Sequence, residues 1–189
     1  MKIITIMGSP RKRGNTDAAL TIFEDMARDA GHTVTRINLA GVNVGQCVSC
    51  WKCMESTDEP GCPQKDDAGG VFSSMIESDG IIYATPLYCW SFSAQMKALI
   101  DRHVCLVKGF ETGGHKSFLE GKKTALLVTC EGAETGNADI IRTLFERLTN
   151  EYLLMNNAGE FIISGCGIEP RTLPPDAGSI INRMAESFI

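Results

Sequence analysis

Two hydrophobic rhythms alternate along the chain. Short unbroken apolar and β-branched runs predict buried strands. Stretches with apolar residues three and four apart predict helices that bury one face. Residues 2–7 (KIITIM) are the first run. The stretch 16–30 follows, with Ala19, Leu20, Phe23, Met26, Ala27 and Ala30 at helical spacing and Gly31 placed to end it. Residues 33–39 predict a second strand. A helix is expected from Asp66-Asp67, whose carboxylates suit a helix N-terminus, to about Ser78. Residues 79–85 (DGIIYAT) predict a third strand. Residues 93–107 predict a helix with Met96, Leu99, Ile100, His103, Val104 and Val107 on one face. The pattern closes with a strand over 122–130 (KKTALLVTC), a helix over 138–155, a strand over 158–166 and a helix opening at Pro174-Pro175-Asp176.

Five strands alternating with five helices predict an α/β fold, a parallel sheet with helices on both faces and right-handed connections. Two segments break the rhythm, 41–65 and 108–121, and long connections of this kind tend to be functional. A length of 189 residues suits one domain. It is expected to span 1–189, with residues 41–65 as a cysteine-rich insert.

Composition narrows the function classes. The net charge of −5 argues against a duplex nucleic-acid binder. No apolar run approaches the roughly 20 residues that cross a bilayer, and the run at residues 3–7 is too short for a secretory signal, so a cytoplasmic protein is expected. Of eight cysteines, Cys47, Cys50, Cys53 and Cys62 share one 16-residue segment. Cys89, Cys105, Cys130 and Cys166 stand singly and read as small buried apolar residues, with Cys89 and Cys130 in loops that could touch a ligand. His32, His103 and His115 show no ligand spacing.

In a parallel sheet, ligands bind beyond the carboxyl ends of the strands. The turn after the first strand, GSPRKRGNT at residues 8–16, is neither a dinucleotide fingerprint nor a P-loop. It is an anion cup. Ser9, Asn15 and Thr16 offer hydroxyl or amide donors, Gly8 and Gly14 open the backbone, and Arg11, Lys12 and Arg13 bring charge to a helix N-terminus. In the cysteine segment, Cys47-x2-Cys50-x2-Cys53 is followed after eight residues by Cys62-Pro63. Two zinc knuckles normally lie further apart, and this spacing is closer to ligation of a 4Fe–4S cubane. Zinc or unligated redox thiols remain the alternatives.

These pieces, with ATPLYCWSFSAQMKALIDR (84–102) and GKKTALLVTCEG (121–132), resemble the NAD(P)H-dependent FMN reductase family, and within it the iron–sulfur flavoprotein branch. The resemblance implies a flavodoxin-like doubly wound five-stranded sheet of order 2-1-3-4-5. It implies FMN as cofactor, with the phosphate on Ser9, Arg11, Lys12, Asn15 and Thr16. The flavin ring would lie against Thr85, Pro86, Leu87, Tyr88 and Trp90 on one side and Thr129, Glu131 and Gly132 on the other. The branch implies a 4Fe–4S cluster on Cys47, Cys50, Cys53 and Cys62, though its gap before the fourth cysteine is usually shorter.

The implied function is an FMN-dependent oxidoreductase that passes electrons from NAD(P)H through FMN to a small acceptor, with no side chain acting as acid or base. The alternatives are an electron carrier reduced by a ferredoxin-like donor, or a non-catalytic flavin or redox-sensing module. A homodimer or homotetramer is expected, with no nucleic-acid or membrane partner.

Overall fold

The fold is described from a computed structural model over residues 1–109, 113–169 and 171–189. Strand β1 (Lys2–Met7) is buried at every residue after Lys2, because both of its faces are covered. Ile4 and Ile6 point to one layer, and Ile3 and Met7 to the other. Helix α1 (Asn15–Asp29) covers the second layer, and β2 (Thr33–Asn38) returns as a half-exposed edge strand. After the long cysteine segment come α2 (Ala68–Glu77), β3 (Gly80–Pro86) and α3 (Ala94–Asp101). A small antiparallel hairpin of β4 (Val107–Lys108) and β5 (Lys116–Ser117) precedes β6 (Lys123–Thr129), α4 (Asp139–Glu146), β7 (Asn156–Ile163) and α5 (Ala177–Phe188).

The sheet order is β2-β1-β3-β6-β7, all parallel. Setting the hairpin aside, this is the expected 2-1-3-4-5 order. Val71 and Phe72 of α2, Met96 and Leu99 of α3 and Phe145 of α4 pack on one face. Leu20 and Phe23 of α1 and Ile181 and Met184 of α5 pack on the other. Phe188 lies so close over Gly80 that a Cβ there would sit 2.7 Å from its ring, so Gly80 is what lets the last helix close on the sheet.

The long helices are shorter than their hydrophobic pattern predicts. The stretch 93–107 leaves α-geometry at Asp101 and tightens into a 3₁₀ turn, Arg102–Leu106. Arg102, His103, Cys105 and Leu106 are all buried there, which one stripe of a 3.6-residue helix cannot achieve. The stretch 138–155 changes from α4 to a π-helical turn, Arg147–Tyr152. Asp66 and Asp67 do not cap α2 through Asp67, whose side chain instead accepts the amide of Asn43 at 2.7 Å. Asp66 accepts the amides of Gly45 (2.8 Å) and Ala68 (3.1 Å). The pair stitches the cysteine segment to the helix start.

Candidate functional site

The register brings four strand ends level. Met7 pairs with Ala84, Pro86 with Thr129, and Thr129 with Ile163. The loops beyond these ends enclose a cavity of about 310 Å³, within the range of small-molecule sites. From the first turn, Ser9, Arg11, Gly14, Asn15 and Thr16 line it. Pro86, Leu87 and Tyr88 form one wall, and Thr129 and Glu131 the opposite one. Lys12, Thr85, Trp90 and Gly132 do not line it.

The first-turn end has the chemistry of a candidate anion site. Gly14 stands at the N-cap of α1, and no side chain caps the helix, so its positive end is left to a ligand. Gly8 is held by its amide to Ala84 O at 2.7 Å and by Ser93 Oγ donating to its carbonyl at 2.5 Å. A Cβ on Gly8 would meet Met96 at 2.9 Å. Ser9 Oγ accepts the amide of Arg11 at 3.1 Å, which rounds the turn. Thr16 Oγ1 and Thr129 Oγ1 lie 2.6 Å apart and tie the two walls. The one acid in the first turn, Asp17, is occupied elsewhere, by Arg36 at 2.6 Å and Arg171 at 2.8 Å, so it does not oppose a bound anion. This donor set fits a terminal phosphate such as that of FMN.

The loop after β7 also reaches the cavity, through Cys166, Gly167 and Ile168. Gly167 O accepts from Asn15 Nδ2 at 3.0 Å, and Ile168 O from Arg11 Nη1 at 3.3 Å. Sequence reasoning missed these residues. Their position beyond the carboxyl end of the fifth strand was the available signal.

On the ring side, Tyr88 and Ser91 bond each other's amides at 3.0 Å. Cys89 and Trp90 between them have φ of 48° and 60°, a left-handed pair that costs roughly 1–2 kcal/mol per residue. The turn throws Tyr88 and Trp90 outward, 43% and 54% exposed, as an apolar ledge beside the cavity. Cys89 is exposed on the same turn, not buried as expected; Cys105, Cys130 and Cys166 are buried. Strain at an exposed aromatic turn is commonly found at binding sites.

A second cavity, of about 320 Å³, is lined by Cys47, Cys50, Cys53 and Cys62 together, with Trp51 and Arg102. Among the described residues, no three His, Cys, Asp or Glu side chains converge closely enough for one metal ion. Thiolates on one zinc lie roughly 4 Å apart, since each bond is about 2.3 Å. Four cysteines spread around one cavity suit a cluster with an iron for each thiolate. Two buried cations brace the loop. Arg102 meets Asp66 through Nη1 at 2.8 Å and Nη2 at 3.2 Å. Lys108 donates to Cys53 O at 2.5 Å and Pro60 O at 3.1 Å. Burial pushes the Cys53 thiol up; Lys108 opposes this, and the neighbouring Cys62 and Cys50 add to it. Arg102 holds the Asp66 carboxyl below its usual range. The four cysteines around one cavity, one for each iron, fit a 4Fe–4S cluster.

The sheet order and the anion cup at its first turn define a flavodoxin-like protein. More narrowly, the chain belongs to the NADPH-dependent FMN reductase family, a family of flavin oxidoreductases whose model matches residues 1–164. It is 31% identical over 132 residues to an iron–sulfur flavoprotein of Archaeoglobus fulgidus, covering 70% of this chain and 56% of that one. It is 30% identical over 139 residues to one from Methanosarcina thermophila, covering 74% and 68%. The match thus spans little more than half the length of the Archaeoglobus relative. Among solved structures it is similar to an NAD(P)H:quinone oxidoreductase from Methanothermobacter marburgensis, with a TM-score of 0.77 at 18% identity over 99% of this chain and 96% of that one. It is also similar to an FMN-dependent NADH-azoreductase from Bacillus anthracis in complex with FMN, with a TM-score of 0.70 at 14% identity over 99% and 97%. Among the described residues, no helix is long and apolar enough to cross a membrane.

Proposed function

We propose that this chain is an FMN-dependent oxidoreductase that takes electrons from a nicotinamide and passes them to a small acceptor. The observation that carries this reading is the uncapped, cation-flanked helix start facing an aromatic ledge across one cavity. Bound FMN supplies hydride acceptance at N5 and onward electron transfer. The chain's own residues bind and orient. Ser9, Arg11, Asn15 and Thr16 hold the phosphate, with Lys12 adding charge from outside the cavity. Pro86, Leu87 and Tyr88 set one side of the ring slot, with Thr85 behind them bracing the loop through Ser93 N at 3.2 Å. Thr129 and Glu131 bound the other side, with Gly132 next to them in the chain and outside the cavity lining. Trp90 stands at the open edge, where a nicotinamide or acceptor approaches.

The cysteine cavity favours a second reading, an iron–sulfur flavoprotein in which Cys47, Cys50, Cys53 and Cys62 hold a 4Fe–4S cluster. Helix α3 connects the two cavities. Its N-cap Ser93 holds Gly8 of the first turn, and Arg102 at its far end lines the cysteine cavity. The helix has eight residues, roughly 12 Å at 1.5 Å per residue. A cluster there would serve as entry point for electrons from a ferredoxin-like donor. We also propose a homo-oligomer, on the strength of exposed Ile140 and Leu144 on α4; light scattering that finds only a monomer in the active, flavin-loaded protein contradicts it.

The test is anaerobic purification followed by flavin, iron and sulfide analysis, then addition of NADH, NADPH or a reduced ferredoxin. The expected result is one FMN and about four irons per chain, since four thiolates complete one cubane. Bleaching by a nicotinamide supports the reductase. Bleaching only by ferredoxin supports the electron carrier. Absence of flavin binding overturns both.

A further inference from the structure

Buried polar atoms almost always find a hydrogen-bond partner. Among the described residues, two buried side-chain nitrogen or oxygen atoms have none, and one is Arg102 Nε. Arg102 is 1% exposed and lines the cysteine cavity.

A guanidinium has five N–H donors in a rigid plane. Three are accounted for. Nη1 donates to Gly45 O at 3.0 Å and to Asp66 Oδ2 at 2.8 Å, and Nη2 donates to Asp66 Oδ1 at 3.2 Å. Asp66 therefore grips the end of the fork. The donors that remain are Nε–H and the second Nη2 hydrogen. In a planar guanidinium these two point the same way, along the edge next to the one Asp66 occupies. Asp66 also accepts the amides of Gly45 and Ala68, so the grip is locked to the backbone and the guanidinium plane cannot turn. Of the four cysteines, Cys62 lines both cavities that the guanidinium lines. The acid that lines the cavity, Asp101, turns to Lys97 at 2.5 Å and leaves Arg102 alone.

We propose that the Nε/Nη2 edge of Arg102 donates a pair of N–H···S hydrogen bonds to the Cys62 sulfur and thereby raises the reduction potential of the cluster on these cysteines. The inference rests on the cluster reading above and deepens it by naming a tuning residue. Adding an electron to a cluster increases the negative charge on its sulfurs, so donors aimed at a sulfur favour the reduced form. Asp66 offsets much of the Arg102 charge, so the effect is carried by the directed hydrogen bonds. Lys108 differs: two of its donors are spent on the carbonyls of Cys53 and Pro60, and it braces the loop.

The experiment is a one-electron redox titration of anaerobically reconstituted, full-length protein, followed by the electron paramagnetic resonance of the reduced cluster. Two variants are compared with the wild type. Arg102→Lys keeps the charge and removes the Nε/Nη2 edge. Arg102→Gln combined with Asp66→Asn removes both charges and keeps a neutral hydrogen bond between the two positions. Both are expected to lower the equilibrium constant for reduction about tenfold, which is 59 mV for one electron. Arg183→Met, on the exposed side of α5 beyond the other face of the sheet, is expected to leave it unchanged. An equilibrium constant for reduction within twofold of wild type in either loaded variant overturns the inference and leaves the cluster intact as a reading. Loss of the cluster from both variants while FMN still binds also overturns it, because a tuning contact acts on a cluster that still assembles. A wild type that takes up no iron and sulfide overturns the cluster reading itself, and the inference with it.

Discussion

The two cavities are similar in volume and opposite in construction. The first is built where four strand ends stop level, and backbone geometry does most of the work. Its donors come from one turn, its walls from loops anchored by sheet hydrogen bonds such as Leu87 N to Thr129 O at 2.9 Å. The second is built from a 3₁₀ turn and irregular chain, outside the five-stranded sheet. It is shaped by two buried cations and one buried carboxylate. Each cavity has an exposed tryptophan in left-handed conformation at its rim, Trp90 at the first and Trp51, φ 59°, at the second. A site on a sheet edge is as stable as the sheet. A site in a long loop depends on the few ionic contacts that hold it.

That contrast can be broken most forcefully at Asp66. Asp66→Ala leaves the Arg102 charge buried and unpaired, and removing one partner of a buried pair costs about 3–5 kcal/mol. Urea unfolding is expected to show a loss of this size. Residual folded protein is expected to keep FMN while losing iron, because the damage falls on the second cavity alone. Equal loss of both cofactors from the folded fraction contradicts the division.

The next effect separates the core beneath the two sites from the sites themselves. His103 Nδ1 donates to Leu99 O at 2.8 Å, so Nε2 is left to accept from Tyr83 OH at 2.9 Å. Burial lowers the His103 pKa to about 4, against weaker opposing pulls from the Leu99 carbonyl and Asp101. The unfolded chain titrates near 6.5 and so binds the proton first. The stability contribution is complete above about 6.5 and is lost as the pH falls toward 4. It amounts to about 3 kcal/mol at 1.36 kcal/mol per unit. His103→Gln, which keeps an acceptor for Tyr83, is expected to remove this part of the pH dependence. Unfolding free energies at pH 7 and 4.5 check it; parallel curves for the two proteins rule it out.

The smallest effect belongs to the first cavity, because its contacts are many and partly exposed. A charge-assisted hydrogen bond contributes about 1.5–3 kcal/mol. Arg11→Ala is therefore expected to weaken FMN about 10- to 100-fold with the fold intact. Flavin fluorescence titration measures it, and an unchanged affinity removes Arg11 from the phosphate site. Iron content is expected to stay at the wild-type level, which sharpens the independence of the two cavities.

How far the site was legible follows the same division. The phosphate turn could be read because glycine, hydroxyl and cationic residues sit directly after a strand of unmistakable pattern. The four cysteines could be singled out by their clustering in sequence, and the fold brings them to one cavity. The role of Arg102 could not. In sequence it falls off the apolar stripe of Met96, Leu99 and His103, where a solvated arginine is the ordinary reading. Only the return of residues 45–66 against the end of α3 buries it on Asp66. The loop at Gly167 and Ile168 offered only its place after the fifth strand as a signal, since its carbonyls matter only after β7 has paired with β6.

Local pattern determined the strand and helix order, the parallel sheet and the residue types at each candidate site. It could do so because burial on both faces of a strand, or one face of a helix, leaves a periodic trace in the chain. Helix ends, the 3₁₀ turn at Arg102–Leu106, the pairing of Arg102 with Asp66 and the alignment of its free donors were decided by tertiary contact. Those features depend on residues dozens of positions apart desolvating one another, and the energy of that desolvation has no counterpart in any local stretch of sequence.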